Sequence, residues 1–309
     1  MSNPKNILVL GGSYFVGRVF NMLASQAGNL EMFVVNRGRY TLGKPHVTEF
    51  KCERHDTKRL VELLPPIDFD ALIDLCAYEP GDISLILDAL GTRAGHYIDI
   101  STSSVYAPNP HSAKTEAAPL ATGLGDDPAS QYVAKKLGLE GELTAACEAR
   151  GVPWTIFRPA FIFGPYNYAP RESWFVEKIV RGEPVPVPTD AAARFSFVYV
   201  SDVARALMAA AGDGRAFGRA LNLAGPEELD YPRYLAELAR CNGGPFATEE
   251  FTVAQVLEQN IPLPFPLTAA ETDLTSGELA ATTLNLAYTP FSEGMEKAFT
   301  AFRNVYAEH

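Results

Sequence analysis

The chain has few of the residues that mark a secreted, metal-loaded or membrane-bound protein. Its 309 residues include four cysteines, Cys52, Cys76, Cys147 and Cys241. They are scattered and form no Cys-x-x-Cys pair, so free thiols in a reduced cytoplasm are expected. The five histidines show no metal-ligand spacing, and no metal is expected. No stretch reaches the roughly 18 apolar residues of a membrane span. The opening Met1-Ser2-Asn3-Pro4-Lys5 runs straight into an apolar segment, so no leader is expected. Basic residues are outnumbered 26 to 37, for a net charge of −11. That balance disfavours a nucleic-acid surface but leaves room for a local basic pocket that takes a small anion.

What is present starts with a strand, a glycine turn and a helix. Ile7 to Leu10 is a short apolar run, the pattern of a strand buried on both faces. Gly11 and Gly12 break it, and a helical pattern follows through Phe20 and Leu23. A helix N-terminus offers unpaired N–H groups and the positive end of a dipole, which suits a pyrophosphate. Gly11, Gly12, Ser13, Tyr14, Phe15, Val16 and Gly17 are therefore candidates to hold a dinucleotide. A tight βα turn without a ligand is the alternative. Tyr14 stands where a Gly-x-x-Gly-x-x-Gly pattern has its middle glycine, and a ring there threatens to crowd a pyrophosphate.

The second strand ends in Asn36-Arg37-Gly38-Arg39. In a dinucleotide fold a carboxylate at this position binds the ribose 2′-hydroxyl of NAD, whereas an arginine suits a 2′-phosphate. Charge favours NADP here, with solvent-facing Arg37 and Arg39 as the equal alternative. Further strands are expected at 47–51, 70–76, 95–101 and 154–159. They alternate with helices at 57–64, capped by Asp56, at 79–90 and at 130–150. Such alternation implies an α/β fold, a parallel sheet wound on both faces, with ligands beyond the carboxyl ends of the strands. Asn36, Glu53, Cys76, Ala77, Tyr78, Ser101 and Pro159 fall at or near those ends. Beyond Gly164 the rhythm changes. The expectations are an aromatic loop (Tyr166, Asn167, Tyr168, Arg171), a helix at 174–181 and a proline-rich turn at 184–188. Then come a strand at 194–202, a helix at 203–211 begun by Asp202, and a strand at 221–223. Helices are expected near 231–241 and 253–260, with an irregular segment at 261–266.

The chemistry lies in two places. Ser101, Thr102 and Ser103 form a hydroxyl cluster at a strand end. The long helix opens with Tyr132 and Lys136, four apart and on one face. Alone, such a pair is an ordinary surface contact. Joined to the hydroxyls and the sheet order, it makes an acid–base site. A nearby ammonium lowers a phenol from its free pKa of about 10, so that Tyr132 takes a proton from a substrate hydroxyl. Arg171 and Arg194 flank the expected cleft and are candidates for a substrate phosphate, each with a solvent-facing alternative.

These motifs resemble the extended short-chain dehydrogenase/reductases, the NAD(P)-dependent epimerase/dehydratase family. The resemblance runs through Gly11-Gly12-Ser13-Tyr14-Phe15-Val16-Gly17, Ser101-Thr102-Ser103-Ser104-Val105-Tyr106, Tyr132-Val133-Ala134-Lys135-Lys136, Arg158 to Pro165, Phe197 to Asp202 and Leu221-Asn222. It implies that Tyr132 and Lys136 are the catalytic pair and that Lys136 also binds the nicotinamide ribose. It implies Thr102 as the catalytic hydroxyl, with Ser103 in reserve. It further implies a Rossmann-type domain at 1–165 and 195–224 and a substrate lobe at 166–194 and 225–309, with Ser103, Tyr166, Asn167, Arg171 and Arg194 as the substrate-binding candidates. The implied activity is epimerisation or reduction of a sugar, a nucleotide sugar above all, by a homodimer. Leu137, Leu139 and Leu143 of the long helix are its candidate contact. Sugar-nucleotide 4,6-dehydratases carry an acidic pair after the catalytic threonine. Here Ser103 and Ser104 follow Thr102, which argues against that chemistry. The rival is a nucleotide-sensing or RNA-associated protein on the same fold.

Overall fold

A computed structural model describes residues 4–307, so the opening residues 1–3, read above as part of a leaderless start, lie outside the described residues. The first half alternates strand and helix: β1 (Lys5–Leu10), α1 (Phe15–Ala27), β2 (Leu30–Asn36), β3 (Val47–Lys51), α2 (Thr57–Leu63), β4 (Ala71–Asp74), α3 (Asp82–Leu90), β5 (Tyr97–Ile100), α4 (Pro128–Arg150) and β6 (Trp154–Pro159). The second half is more mixed: β7 (Phe161–Phe163), α5 (Glu172–Arg181), β8 (Val185–Pro188), β9 (Phe195–Tyr199), α6 (Val200–Ala210), β10 (Arg219–Leu223), β11 (Glu228–Leu229), α7 (Tyr231–Asn242), β12 (Thr248–Phe251), α8 (Val253–Glu258), α9 (Glu278–Leu284) and α10 (Phe291–Ala307).

Seven strands form one parallel sheet in the order β10-β6-β5-β4-β1-β2-β3. This is the doubly wound Rossmann-type arrangement. The apolar run of β1 is explained by its central place: Ile7, Leu8 and Val9 are fully buried. Ile7 and Val9 face a core shared with α1 and α6, whereas Leu8 and Leu10 face a core shared with α2, α3 and α4. Strand order reverses between β1 and β4, which opens a crevice at their carboxyl ends. Gly11 and Gly12 turn the chain there with φ of +89° and +82°, a region that favours glycine.

Helix α4 starts at Pro128, two residues earlier than expected, because Asp127 caps it by accepting from the N–H groups of Ala129 and Ser130. Its Leu139 and Leu143 are buried against α3 and β5 within the chain's own core. They are therefore not spare apolar surface for a second copy, whereas Leu137 is half-buried and outside that core.

The second half forms a smaller layer around the rings of Phe195, Phe197, Tyr234, Phe265 and Phe291. Here the structure corrects three expectations. The proline-rich turn at 184–188 is a strand, β8, paired in parallel with β12. A two-stranded sheet leaves one edge of each strand unpaired, so Pro186 and Pro188 cost no ladder bond. The strand expected at 194–202 ends at Tyr199 and turns directly into α6. Asp202 consequently sits inside the first turn, where its buried carboxylate accepts from the N–H and hydroxyl of Thr289. Helices α9 and α10 have no counterpart in the sequence reading.

Candidate active site

A cleft of about 1070 Å³ runs along the carboxyl ends of the sheet. Its cofactor side is lined by Gly11, Gly12, Ser13, Tyr14, Phe15, Val16 and Gly17. Gly17 has a steric reason. A Cβ there would lie 2.3 Å from the Gly12 Cα and 2.6 Å from Leu75, so only glycine lets α1 close onto the turn. Tyr14 does not pack into the turn. It is 45% exposed and stacks on Tyr40 at 5.3 Å, with Tyr168 at 5.8 Å. As the N-cap of α1 it makes no side-chain hydrogen bond to the helix. That leaves the first N–H groups of the helix free of a side-chain cap. Ser101 lines the cleft, and its hydroxyl is buried with no partner among the described residues. Tight glycines, an uncapped helix start and an orphaned hydroxyl fit a dinucleotide.

Asn36 also lines the cleft, but its side chain is committed. Its carbonyl oxygen accepts from the Gly38 N–H at 2.6 Å, and its amide donates to Glu49 at 3.4 Å. Arg37 is exposed, 4.0 Å from Glu53, and Arg39 lies over the Tyr40 ring; all four side chains border the cleft. Cys76, Tyr78 and Pro159 line it too. Ala77 does not: it is buried in the core beneath.

The structure brings Thr102, Tyr132 and Lys136 to one wall of this cleft. Thr102 follows β5 in extended backbone; its hydroxyl donates to the Ser104 hydroxyl and accepts from the Ser104 N–H, both at 3.2 Å. Lys136 is buried, with its ammonium donating to the Ile100 carbonyl at 2.8 Å and lying 5.7 Å from the Tyr78 ring. Burial raises the Tyr132 pKa above the ordinary tyrosine value. The nearby Thr102 hydroxyl and the Arg171 charge pull it back, and Asp99 pushes it up. This corrects the expectation that Lys136 draws the phenol down. In the protein alone Lys136 is occupied by a backbone carbonyl. Asp99 lies beneath, fully buried, its carboxyl pushed up to about 7 by burial against the pull of Lys136.

At the substrate end Ser103, Asn167 and Arg171 line the cleft. Asn167 mainly shapes its loop, donating to both oxygens of Glu172 at 3.1 Å and accepting from the Ala169 N–H at 3.0 Å. Tyr166 and Arg194 lie outside. Tyr166 takes a left-handed φ of +67°, and its ring stacks under Arg18. Arg194 pairs with Glu228. Arg158 is structural, buried against Glu140 and the Tyr106 hydroxyl. Among the lining groups that escaped the sequence reading are Tyr40, Arg54, Ser196 and Asp273. Ser196 and Asp273 come from distant segments, and Asp273 is held by the buried Lys114 at 2.5 Å. No local motif announces them.

Residues 83–224 match the model of the NAD dependent epimerase/dehydratase family. That match spans less than half of the 309 residues. The matched stretch contains Thr102, Tyr132 and Lys136. Among proteins similar in sequence is a chloroplast stem-loop binding protein of 41 kDa from Arabidopsis thaliana, 27% identical over 258 residues. That match covers 79% of this chain and 65% of the relative, so the chain spans less than two thirds of it. A (4-alkanoyl-5-oxo-2,5-dihydrofuran-3-yl)methyl phosphate reductase from Streptomyces griseus is 25% identical over 307 residues, covering 98% of this chain and 97% of the relative. Among solved structures, UDP-glucuronic acid 4-epimerase from Bacillus cereus, in complex with UDP-glucuronic acid and NAD, superposes with a TM-score of 0.76 at 17% identity. It covers 97% of this chain and 100% of that one, and shows the shared fold.

Proposed function

We propose that this protein is an NAD(P)-dependent epimerase or reductase acting on a hydroxyl or keto carbon of a sugar, with a nucleotide sugar as substrate. One observation carries the reading: Thr102, Tyr132 and Lys136 converge on the wall of a cleft whose other side is the glycine turn. In this reading Gly11 to Gly17 and the start of α1 hold the pyrophosphate, and Lys136 holds the nicotinamide ribose. The exposed Arg37 and Arg39 border the cleft just past the end of β2, which supports NADP over NAD. A bound nicotinamide supplies hydride acceptance and return. Thr102 orients the substrate oxygen by a hydrogen bond. Tyr132 takes the hydroxyl proton at its phenol oxygen, or gives it back to a keto oxygen. Ser103 and Ser104 supply no carboxylate for water loss, so epimerisation or reduction is favoured over dehydration. Residues 166–194 and 225–309 serve as the substrate lobe.

Tyr132→Phe tests this reading. The ring stays and only the hydroxyl goes, so cofactor affinity should hold while turnover falls roughly 10²–10⁴-fold. Full turnover in that variant would remove the mechanism.

The Arabidopsis relative supports a second reading, an RNA-associated protein on the same fold. Exposed Tyr14, Tyr40, Tyr78 and Tyr168 border the cleft, and exposed rings stack on unpaired bases. The net charge of −11 opposes it. A stem-loop RNA titrated at physiological salt separates the two: measurable binding that NADP displaces would favour the second reading.

A further inference from the structure

Side chains alternate along a strand, so Tyr97 and Asp99 share one face of β5. Tyr97 belongs to the core under α2, α3 and α4, and Asp99 therefore points into that layer as well. Its neighbours across the sheet are Asp74 on β4 and Ile156 on β6. From α4, two charged side chains are buried on the same side, Lys136 and Glu140. The other carboxylates of this layer are spent. Asp74 accepts from Arg54 twice and from the Tyr97 hydroxyl, and Glu140 is forked by Arg158. Asp82, at the start of α3, accepts from the Tyr78 and Glu79 N–H groups and lies against His55. Asp99 differs. It is 1% exposed, and its Oδ2 is buried with no partner among the described residues. Burial raises its carboxyl to about 7, against the pull of Lys136 and with a push from Asp74 and Glu140. A buried acid left unpartnered costs stability. Its place is nevertheless next to the chemistry. Lys136 lines the cleft, and its ammonium is bound to the carbonyl of Ile100, the residue after Asp99. Asp99 stands behind that ammonium and does not itself line the cleft.

We propose that Asp99 is a positioning residue of this site: from behind Lys136 its carboxyl sets, by its own charge, how readily Tyr132 gives up its proton. The proposal rests on the reading of Tyr132 as the acid–base group and adds the control of that group. Ionised Asp99 acts in two ways with one sign. It repels the phenolate directly, and it offsets the Lys136 ammonium that would otherwise favour the phenolate. Protonated Asp99 does neither. Arg171 is the other charge acting on the phenol, and it acts in the opposite sense.

The test is an ultraviolet pH titration of the full chain, which needs no substrate. The Tyr132 phenolate is isolated by subtracting the same protein carrying Tyr132→Phe, so that every other tyrosine cancels. Asp99→Asn keeps the shape of the side chain and removes its charge. It should move the Tyr132 midpoint to lower pH by roughly 0.5–1 unit, a 3- to 10-fold change in the ionisation constant and the usual size of one partly screened charge. Asp99→Leu should move it the same way. A buried charge is often replaced by an apolar side chain of similar volume without loss of stability, so this variant keeps the test alive if Asp99→Asn folds poorly. Asp99→Glu keeps the charge and should titrate near wild type, which a mere packing role would not produce. The proposal is overturned if Asp99→Asn and Asp99→Leu both leave the midpoint where wild type has it, or if Asp99→Glu shifts it as far as they do. Full turnover by Tyr132→Phe would remove the oxidoreductase mechanism instead and leave the shifted midpoint standing, so the two failures are separable.

Discussion

Arg54 and Asp74 lie directly under the cleft, joined by two hydrogen bonds of 3.0 and 2.9 Å. Arg54 also donates to the Asp82 carbonyl, and the Tyr97 hydroxyl donates to Asp74 at 2.6 Å. Their side chains are 9% and 0% exposed. Removing one partner strands the other charge, so Arg54→Met should destabilise by about 3 kcal/mol. Adding Asp74→Leu should return much of that loss, and urea unfolding of both variants checks it. Equal stability for the single and double variants would deny the coupling. Tyr132 yields a second prediction. Its phenol is raised by burial, so at neutral pH the unliganded protein holds it protonated. The phenolate absorbance difference between wild type and Tyr132→Phe should appear only above the free-tyrosine value of about 10, and should move to lower pH when oxidised NAD(P) adds a cation. A difference spectrum already present near neutrality without cofactor would contradict this. Thr102, Tyr132 and Lys136 were legible in the sequence because a strand end and one helical spacing present them. Arg54, Ser196 and Asp273 were not, because only tertiary contacts aim them at the cleft. Tyr166 and Arg171 share one loop, and composition alone does not say which side chain turns inward.

At the scale of elements, β1, the glycine turn and α1 position the cofactor side, and Gly17 is where they touch. Gly17→Ala would drive a methyl into the Gly12 backbone. Backbone cannot yield as a flexible side chain does, so α1 must lift off the turn. The expected cost is about 1–3 kcal/mol of stability, together with at least a tenfold loss of NAD(P) affinity, read by fluorescence titration. Unchanged affinity would mean that the helix start does not hold the pyrophosphate. The central elements were legible for a physical reason. Strands buried on both faces are continuous apolar runs, and β6 was placed with its observed bounds, Trp154–Pro159. The second half was less legible. β8 carries alternate prolines that read as a turn, and its strand character comes from the distant β12. β9 reads like a central strand, yet it pairs with β7 and β11 outside the main sheet.

Across the whole molecule, a buried histidine links the two ends of the large sheet's connections. His96 precedes β5 and is fully buried against the Phe217 ring. Thr155 on β6 donates its hydroxyl hydrogen to the Ala216 carbonyl at 2.6 Å. Its oxygen is then left to accept from the His96 Nε2–H at 2.9 Å, while Nδ1 accepts from the Gly212 N–H at 3.3 Å. This network assigns a neutral ring with its proton on Nε2. Burial lowers the His96 pKa to about 4, with the Ala210 carbonyl pulling part-way back. An unfolded histidine titrates near 6.5. Between those values the unfolded chain binds the extra proton, so folding stability falls as pH falls through that window and is fully present above it. The contribution at stake is on the order of 3 kcal/mol. Asp99 works in the opposite sense: its raised pKa favours the folded state at low pH and costs stability as pH rises towards 7. The two must be separated by substitution. His96→Gln keeps a donor and an acceptor but does not titrate. Urea unfolding from pH 7 to pH 4.5 should show wild type losing more stability than His96→Gln, with the two curves converging in slope above pH 7. Parallel curves across the whole range would show that His96 is not held neutral by the fold.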